Sequence, residues 1–255
     1  MPPQSIDEVL ARLDRTIADA RRRQSRIGYF AALYRDVTAR VAAALEAGEF
    51  QDNARMERLD VAFAQRYLDA LEARGTETGP PRSWTQTFAA AERWRPLILQ
   101  HLLLGMNAHI NLDLGIAAVE VAPRDEIADL KPDFYRINRI LGAMIEKVQA
   151  RIAEVSPWTG VLDRLGGRAD EVISNFCLVS ARDDAWEFAK TLAPLGAEER
   201  ARKIQAKDRE TALRTAKILQ PGGPWIVPVL VGIRLWEEDD VPSVIAALSG
   251  TGPAA

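Results

Sequence analysis

Gln100-His-Leu-Leu-Leu-Gly-Met-Asn-Ala-His-Ile-Asn-Leu-Asp-Leu-Gly115 holds both histidines of the 255-residue chain within an otherwise apolar run. A polar group buried without a partner costs about 1–3 kcal/mol, and an unpaired charge costs more. Placing Gln100, His101, Asn107, His109, Asn111 and Asp113 in core-grade sequence therefore demands many internal partners or a binding site. At 100° per residue, His101, Gly105, His109, Leu112 and Asp113 share one arc, with Met106 at its edge. His109 and Asp113 form an i, i+4 pair within touching distance. Asn107, Asn111 and Leu104 lie on the opposite side, and Leu103, Ile110 and Leu114 fill the arc between. No face is left wet, which predicts a central helix over about residues 96–120, buried all round. Gly105 costs roughly 1 kcal/mol relative to Ala inside a helix. Its presence points to close approach by a neighbouring helix, or a ligand, beside the two imidazoles.

Outward from this segment the periodicity is helical nearly everywhere. Ile6, Val9, Leu10, Leu13 and Ile17 recur at helical spacing behind Ser5, placed as an N-cap, with Glu8 completing a capping box. Arg21-Arg22-Arg23 ends that helix as a solvated face or a partner for the helix dipole. A second helix is expected from Gly28 to Ala47, stopped by Gly48. A third runs from Asn53 to Arg74, closed by Gly75 and Gly79-Pro80-Pro81. Ser83 is placed to cap a short helix to Glu92, and Pro96 to sit in the first turn of the central one. Further helices are expected at Pro132–Val155, Ala169–Ala193, Ala197–Leu219 and Val241–Leu248. Pro224 to Trp236, rich in Val and Ile, reads either as a buried strand or as a kinked helix. No repeat and no long linker interrupts the chain. The expected fold is all-α, one helical-bundle domain over residues 1–250, with 251–255 a disordered tail.

Bulk properties exclude several functions. The 47% apolar and 27% charged composition is that of a globular protein. A net charge of -3 leaves no electrostatic footprint for nucleic acid. The single Cys177 permits no internal disulfide and fits a reducing cytoplasm. The N-terminus lacks the pattern of a signal peptide. Residues 97–121 are long enough to span a membrane, but two His, several amides and an Asp would be costly in hydrocarbon, so no span is expected.

Polar residues also interrupt the apolar stripes of other helices. Asp60 stands among Met56, Leu59, Phe63, Tyr67 and Leu71, and Asn138 among Phe134, Ile137, Leu141, Met144, Ile145 and Val148. Asn175 and Arg182 share a face with Val179, Trp186 and Ala189, while Tyr34 joins Phe30, Val37 and Val41. If these faces converge on the central helix, Asp60, His109, Asp113, Asn138 and Arg182 line one interior cavity. Buried Asp–Arg and His–Asp pairs equally serve to stitch helices together, and for His101, near the helix start, a satisfied core histidine is the favoured reading. Cys177 reads as an inert buried thiol, and the six tryptophans as core and helix anchors.

The preferred chemistry is acid–base catalysis on a small molecule. Asp113 holds one nitrogen of His109, and the other exchanges a proton with substrate. Arg182 supplies an anion anchor, and Asn138 or Tyr34 orients the substrate, with Asp60 and His101 as further contacts. Known signatures are missing. There is no Gly-x-Gly-x-x-Gly or phosphate-loop lysine, no His-Glu-x-x-His, no Gly-x-Ser-x-Gly and no paired Glu-x-x-His. A mononuclear metal on His109 and Asp113, with His101 or Asp60, is the second alternative and would support a hydrolase or oxygenase. His101 and His109 stand roughly 12 Å apart along a helix of 1.5 Å rise, which works against it. A ligand carrier or structural protein without catalysis is the third. No particular cofactor is implied.

Phe30-Ala-Ala-Leu-Tyr34, Phe50-Gln-Asp52, Met56-Glu-Arg-Leu-Asp-Val-Ala-Phe-Ala64 with Tyr67, His101 to Leu114, Asp133-Phe-Tyr-Arg-Ile-Asn138 and Ala181-Arg-Asp-Asp-Ala-Trp186 together touch most of residues 28–190. They resemble a family of bacterial proteins, also found in fungi, known only as a domain of unknown function. The resemblance implies one helical domain and transfers no catalytic residue.

Overall fold

Leu97 to Val121 forms the axis around which the other helices pack. In the computed structural model, which describes residues 2–156, 178–221 and 227–250, this rod consists of α5 (Ile98–Ala108), a π-helical stretch (His109–Leu114) and α6 (Gly115–Val121). Almost every residue along it is buried, as its lack of a polar face requires. It is long and apolar enough to cross a membrane, yet most of it lies inside the protein. Around it stand α1 (Ile6–Arg22), α2 (Ile27–Glu46), α3 (Asn53–Glu72), α4 (Arg82–Ala91), α7 (Ile127–Val155), α8 (Leu178–Leu192), α9 (Ala197–Leu219), α10 (Val227–Arg234) and α11 (Val241–Ser249). No strand occurs among the described residues, and the chain is a single all-α domain.

The axis is held by the polar residues that its sequence made conspicuous. Asn107 donates from Nδ2 to the Thr211 carbonyl at 3.0 Å, and Asn111 donates to Asn107 Oδ1 at 3.1 Å. Arg214 of α9 completes this ladder by donating to Asn111 Oδ1 at 2.9 Å. Gln100 accepts from Leu97 N and donates to the Ile218 carbonyl at 2.7 Å. These groups are therefore structural partners between the axis and α9. Gly105 admits α2: a Cβ there would stand 2.4 Å from the Phe30 ring.

Local expectations are modified where a distant residue supplies the cap. Ser83 is not an N-cap. It lies buried within α4, whose N-cap is Pro81, and the Asp208 carboxylate of α9 accepts from Arg82 N, Ser83 N and the Ser83 hydroxyl. Pro96 precedes the N-cap Leu97 and lies outside the helix, whose first amide, Ile98 N, donates to Glu237. The Ser5 box is half formed: Ser5 Oγ accepts from Glu8 N, but the Glu8 carboxylate reaches Gln4 N instead. α7 begins at Ile127, ahead of Pro132, which is tolerated because it forfeits only one early backbone bond. Val227 to Arg234 is helix, so the strand alternative for Pro224–Trp236 is removed there, and Val179 is 53% exposed instead of joining the stripe of Trp186. Residues 169–177, with Asn175 and Cys177, and 251–255 lie outside the described residues.

Candidate functional site: a histidine on the wall of an apolar cavity

Five aromatic rings enclose His109. Phe63 of α3 stacks on the imidazole with centroids 3.6 Å apart and planes within 6°. Tyr34 of α2 meets it edge-on at 4.6 Å, and Phe30, Trp84 and Tyr67 stand between 5.8 and 6.0 Å away. Inside this cage Nδ1 lies 3.0 Å from Asp113 Oδ2. The spacing persists although residues 109–114 are π-helical, a local widening often found at functional sites. Asp113 is itself saturated. Its Oδ2 also accepts from Trp84 Nε1 at 2.9 Å, and its Oδ1 from Arg66 Nε at 3.3 Å; Arg66 reaches onward to Glu120.

Burial in this apolar cage pushes the His109 pKa down, against the opposing pull of Asp113. The imidazole is therefore neutral at pH 7, with the proton on Nδ1 facing the carboxylate and a lone pair on Nε2. Nε2 is buried and has no hydrogen-bond partner. His109 stands on the wall of a cavity of about 330 Å³ whose lining reaches the surface at exposed Ile145 and Gln149 of α7, within the size range of small-molecule sites. Its wall is nearly all apolar, contributed by α2, α3, α5, α7 and the start of α8, including Phe30, Leu59, Phe63, Met106, Leu141 and Met144. The polar exceptions are Tyr34, Asp60, Gln149 and Arg182.

Gln149 is exposed, and the other three are shaped by burial. Asp60 Oδ2 has no partner, and loss of water, with Glu57 nearby, lifts its carboxyl to about 7. The Tyr34 hydroxyl is also without a well-formed hydrogen bond, and burial together with Asp60 holds its pKa far above the ordinary value. Arg182 donates from Nε to Asn138 Oδ1 and from Nη2 to the Phe134 carbonyl at 2.6 Å, and it lies over the Phe134 ring. Burial lowers its pKa to about 10.

The expected site residues thus separate into groups. Tyr34, Asp60, His109 and Arg182 line one cavity. Asp113 stands behind His109 and does not line it, and Asn138 serves as the acceptor for Arg182. His101 faces away, edge-on to Tyr29 and beside a cavity of about 20 Å³ with Arg26, Phe30, Tyr67 and Trp84. Burial, aided by Arg26 and Arg234, depresses its pKa to about 3. Sequence reasoning missed Arg66 and Trp84 as the partners of Asp113. Arg66 carries a signal in hindsight, as a charge beside the buried stripe of α3. Among the described residues no cluster of three or more His, Cys, Asp or Glu is arranged to hold a metal. The His109–Asp113 pair fits one poorly, because Trp84, Arg66 and the imidazole already engage both carboxylate oxygens.

The model of a family described as "Family of unknown function (DUF5995)" matches residues 6–221. The chain belongs to that family. The match takes in the whole axis and every cavity-lining residue on α2, α3, α5 and α7, so the DUF5995 unit here includes the cavity. No curated protein and no solved structure matches the chain.

Proposed function

We propose that this DUF5995 protein is an enzyme acting on an apolar small molecule held in the 330 Å³ cavity, with His109 as general base. One observation carries the reading: His109, a residue of the cavity wall, has its Nδ1 fixed by Asp113 and keeps a buried Nε2 without any partner. Leaving that lone pair unmatched costs about 1–3 kcal/mol; His101 Nε2 is unmatched too, but it stands beside a cavity of only about 20 Å³, too small for a substrate. Asp113 is a positioning residue that sets the tautomer. Asp60, with a carboxyl near 7, is neutral for much of the population at neutral pH and is the proton donor on the opposite side of the exchange. Tyr34 orients a polar atom of the substrate, and the lone Cys177 fits a cytoplasmic setting.

The reaction class is proton transfer at a carbon or oxygen of an otherwise apolar molecule, with the proton passing to His109 Nε2 and another delivered from Asp60. Deuterium exchange tests it. In D2O, with the bicyclic ketone 2-tetralone as probe, mass spectrometry reads uptake at the carbon next to the carbonyl. Uptake faster than in buffer, cut at least about 100-fold in His109→Gln, is expected for general base catalysis. If 2-tetralone perturbs the ¹⁵Nε2 resonance of His109 yet exchanges at the buffer rate, the catalytic reading falls and a ligand carrier replaces it.

A further inference from the structure

The cavity is elongated. Its wall follows the axis from Leu99 to Leu114 and α7 from Ile137 to Ile152, about 22 Å of each helix at 1.5 Å per residue. Arg182, only 5% exposed, belongs to the end near Ile137, because its two bonds go to Phe134 and Asn138. Its charge is unusual for this protein. Of the other buried arginines, Arg151 pairs with Asp36 at 2.8 Å and Arg234 with Asp239. Arg182 forms no salt bridge among the described residues, its two acceptors are neutral, and its Nη1 makes no hydrogen bond. Tyr135 and Asp183 act on it only through space. A guanidinium withdrawn from water without a carboxylate is expensive unless another anion completes it.

We propose that the cavity takes a long-chain monocarboxylate, its chain laid between α5 and α7 and its carboxylate accepting from Arg182 Nη1. The apolar length of the wall suits an extended chain, and one cation at one end suits one negative charge. Asp183 disfavours a dianionic phosphate head at the same place. Arg182 is not among the charges acting on Asp60 or His109, so the anchor and the proton-transfer groups engage different parts of the ligand. The inference rests on the proposed function only in taking this cavity as the ligand site.

The test is a titration of the full chain with carboxyl-¹³C palmitate, below its aggregation limit, against 1-hexadecanol. Palmitate is expected to saturate at one molecule per chain and to bind at least tenfold more tightly than the alcohol. Arg182→Met, which keeps an unbranched side chain, is expected to lose that tenfold for palmitate while hexadecanol changes less than twofold. Equal affinity for acid and alcohol in the wild type, or unchanged palmitate binding in Arg182→Met, overturns the proposal. Should the variant fail to fold, the wild-type ratio decides. Failure of ketone exchange with palmitate binding intact removes only the catalytic reading, and lost acid–alcohol discrimination with exchange intact removes only this one. If neither amphiphile binds, the long-chain site is overturned.

Discussion

Gly105 and Phe30 occupy what is sterically one position: a Cβ on Gly105 would stand 2.4 Å from the Phe30 ring and 2.8 Å from its Cβ. The same ring lies edge-on to His109 and on the cavity wall, so the glycine sets how close α2 comes to the imidazole. Gly105→Ala gains about 1 kcal/mol of helix propensity. The overpacking costs about 1–3 kcal/mol. A net loss of up to about 2 kcal/mol in urea unfolding is expected, with a shifted His109 imidazole resonance.

Trp84 donates to the same Asp113 oxygen, Oδ2, that holds His109, at 2.9 Å. Trp84→Phe keeps an aromatic ring but removes a hydrogen bond to a carboxylate, a contribution of about 1.5–3 kcal/mol. Chemical denaturation is expected to show a loss of at least that size. In the deuterium-exchange assay the rate is expected to fall less than in His109→Gln, because the Asp113–His109 bond survives.

His101 gives an acid limb to stability. Its pKa is about 3 in the folded protein and about 6.5 unfolded. Above 6.5 both states are neutral, and below it the unfolded chain takes up a proton that the folded one refuses. Stability therefore falls as pH drops through that window, by about 2 kcal/mol from this residue at pH 5. Unfolding of wild type and His101→Gln at pH 7 and pH 5 measures it, and the variant should depend less on pH.

Asp60 acts with the opposite sign. Its carboxyl is raised from 3.8 to about 7, so between those values the unfolded chain ionises and the folded one resists. Stability is lost as pH rises through this range, by up to about 4 kcal/mol. Asp60→Asn removes that loss, and relative to wild type the variant is expected to be more stable at pH 8 than at pH 5. Equal differences at both values would place Asp60 in contact with water.

Asn111 links Asn107 to Arg214. Asn111→Leu leaves Asn107 Oδ1 and one guanidinium nitrogen unmatched, a cost of about 1–3 kcal/mol. Thermal unfolding is expected to show this loss, with 2-tetralone exchange unchanged, since this face of the axis points to α9 and not to the cavity.

The sequence by itself determined most of the helices, the buried axis and the His109–Asp113 contact, because these depend on periodicity and on neighbours within one or two turns; it left Pro224–Trp236 undecided. The same local reading placed Tyr34, Asp60 and Arg182 as polar intrusions in apolar stripes, the residues that the cavity wall gathers. It could not sort the axis's own polar groups. Asn107, Asn111 and Gln100 find their partners on α9, more than a hundred residues away. Asp113 is closed by Trp84 and Arg66, while His101 and His109 end beside different cavities. Tertiary packing alone decided which buried polar atoms are matched and which are left without a partner. Hydrogen-bond satisfaction depends on what arrives from elsewhere in the chain, and helical periodicity carries no record of that.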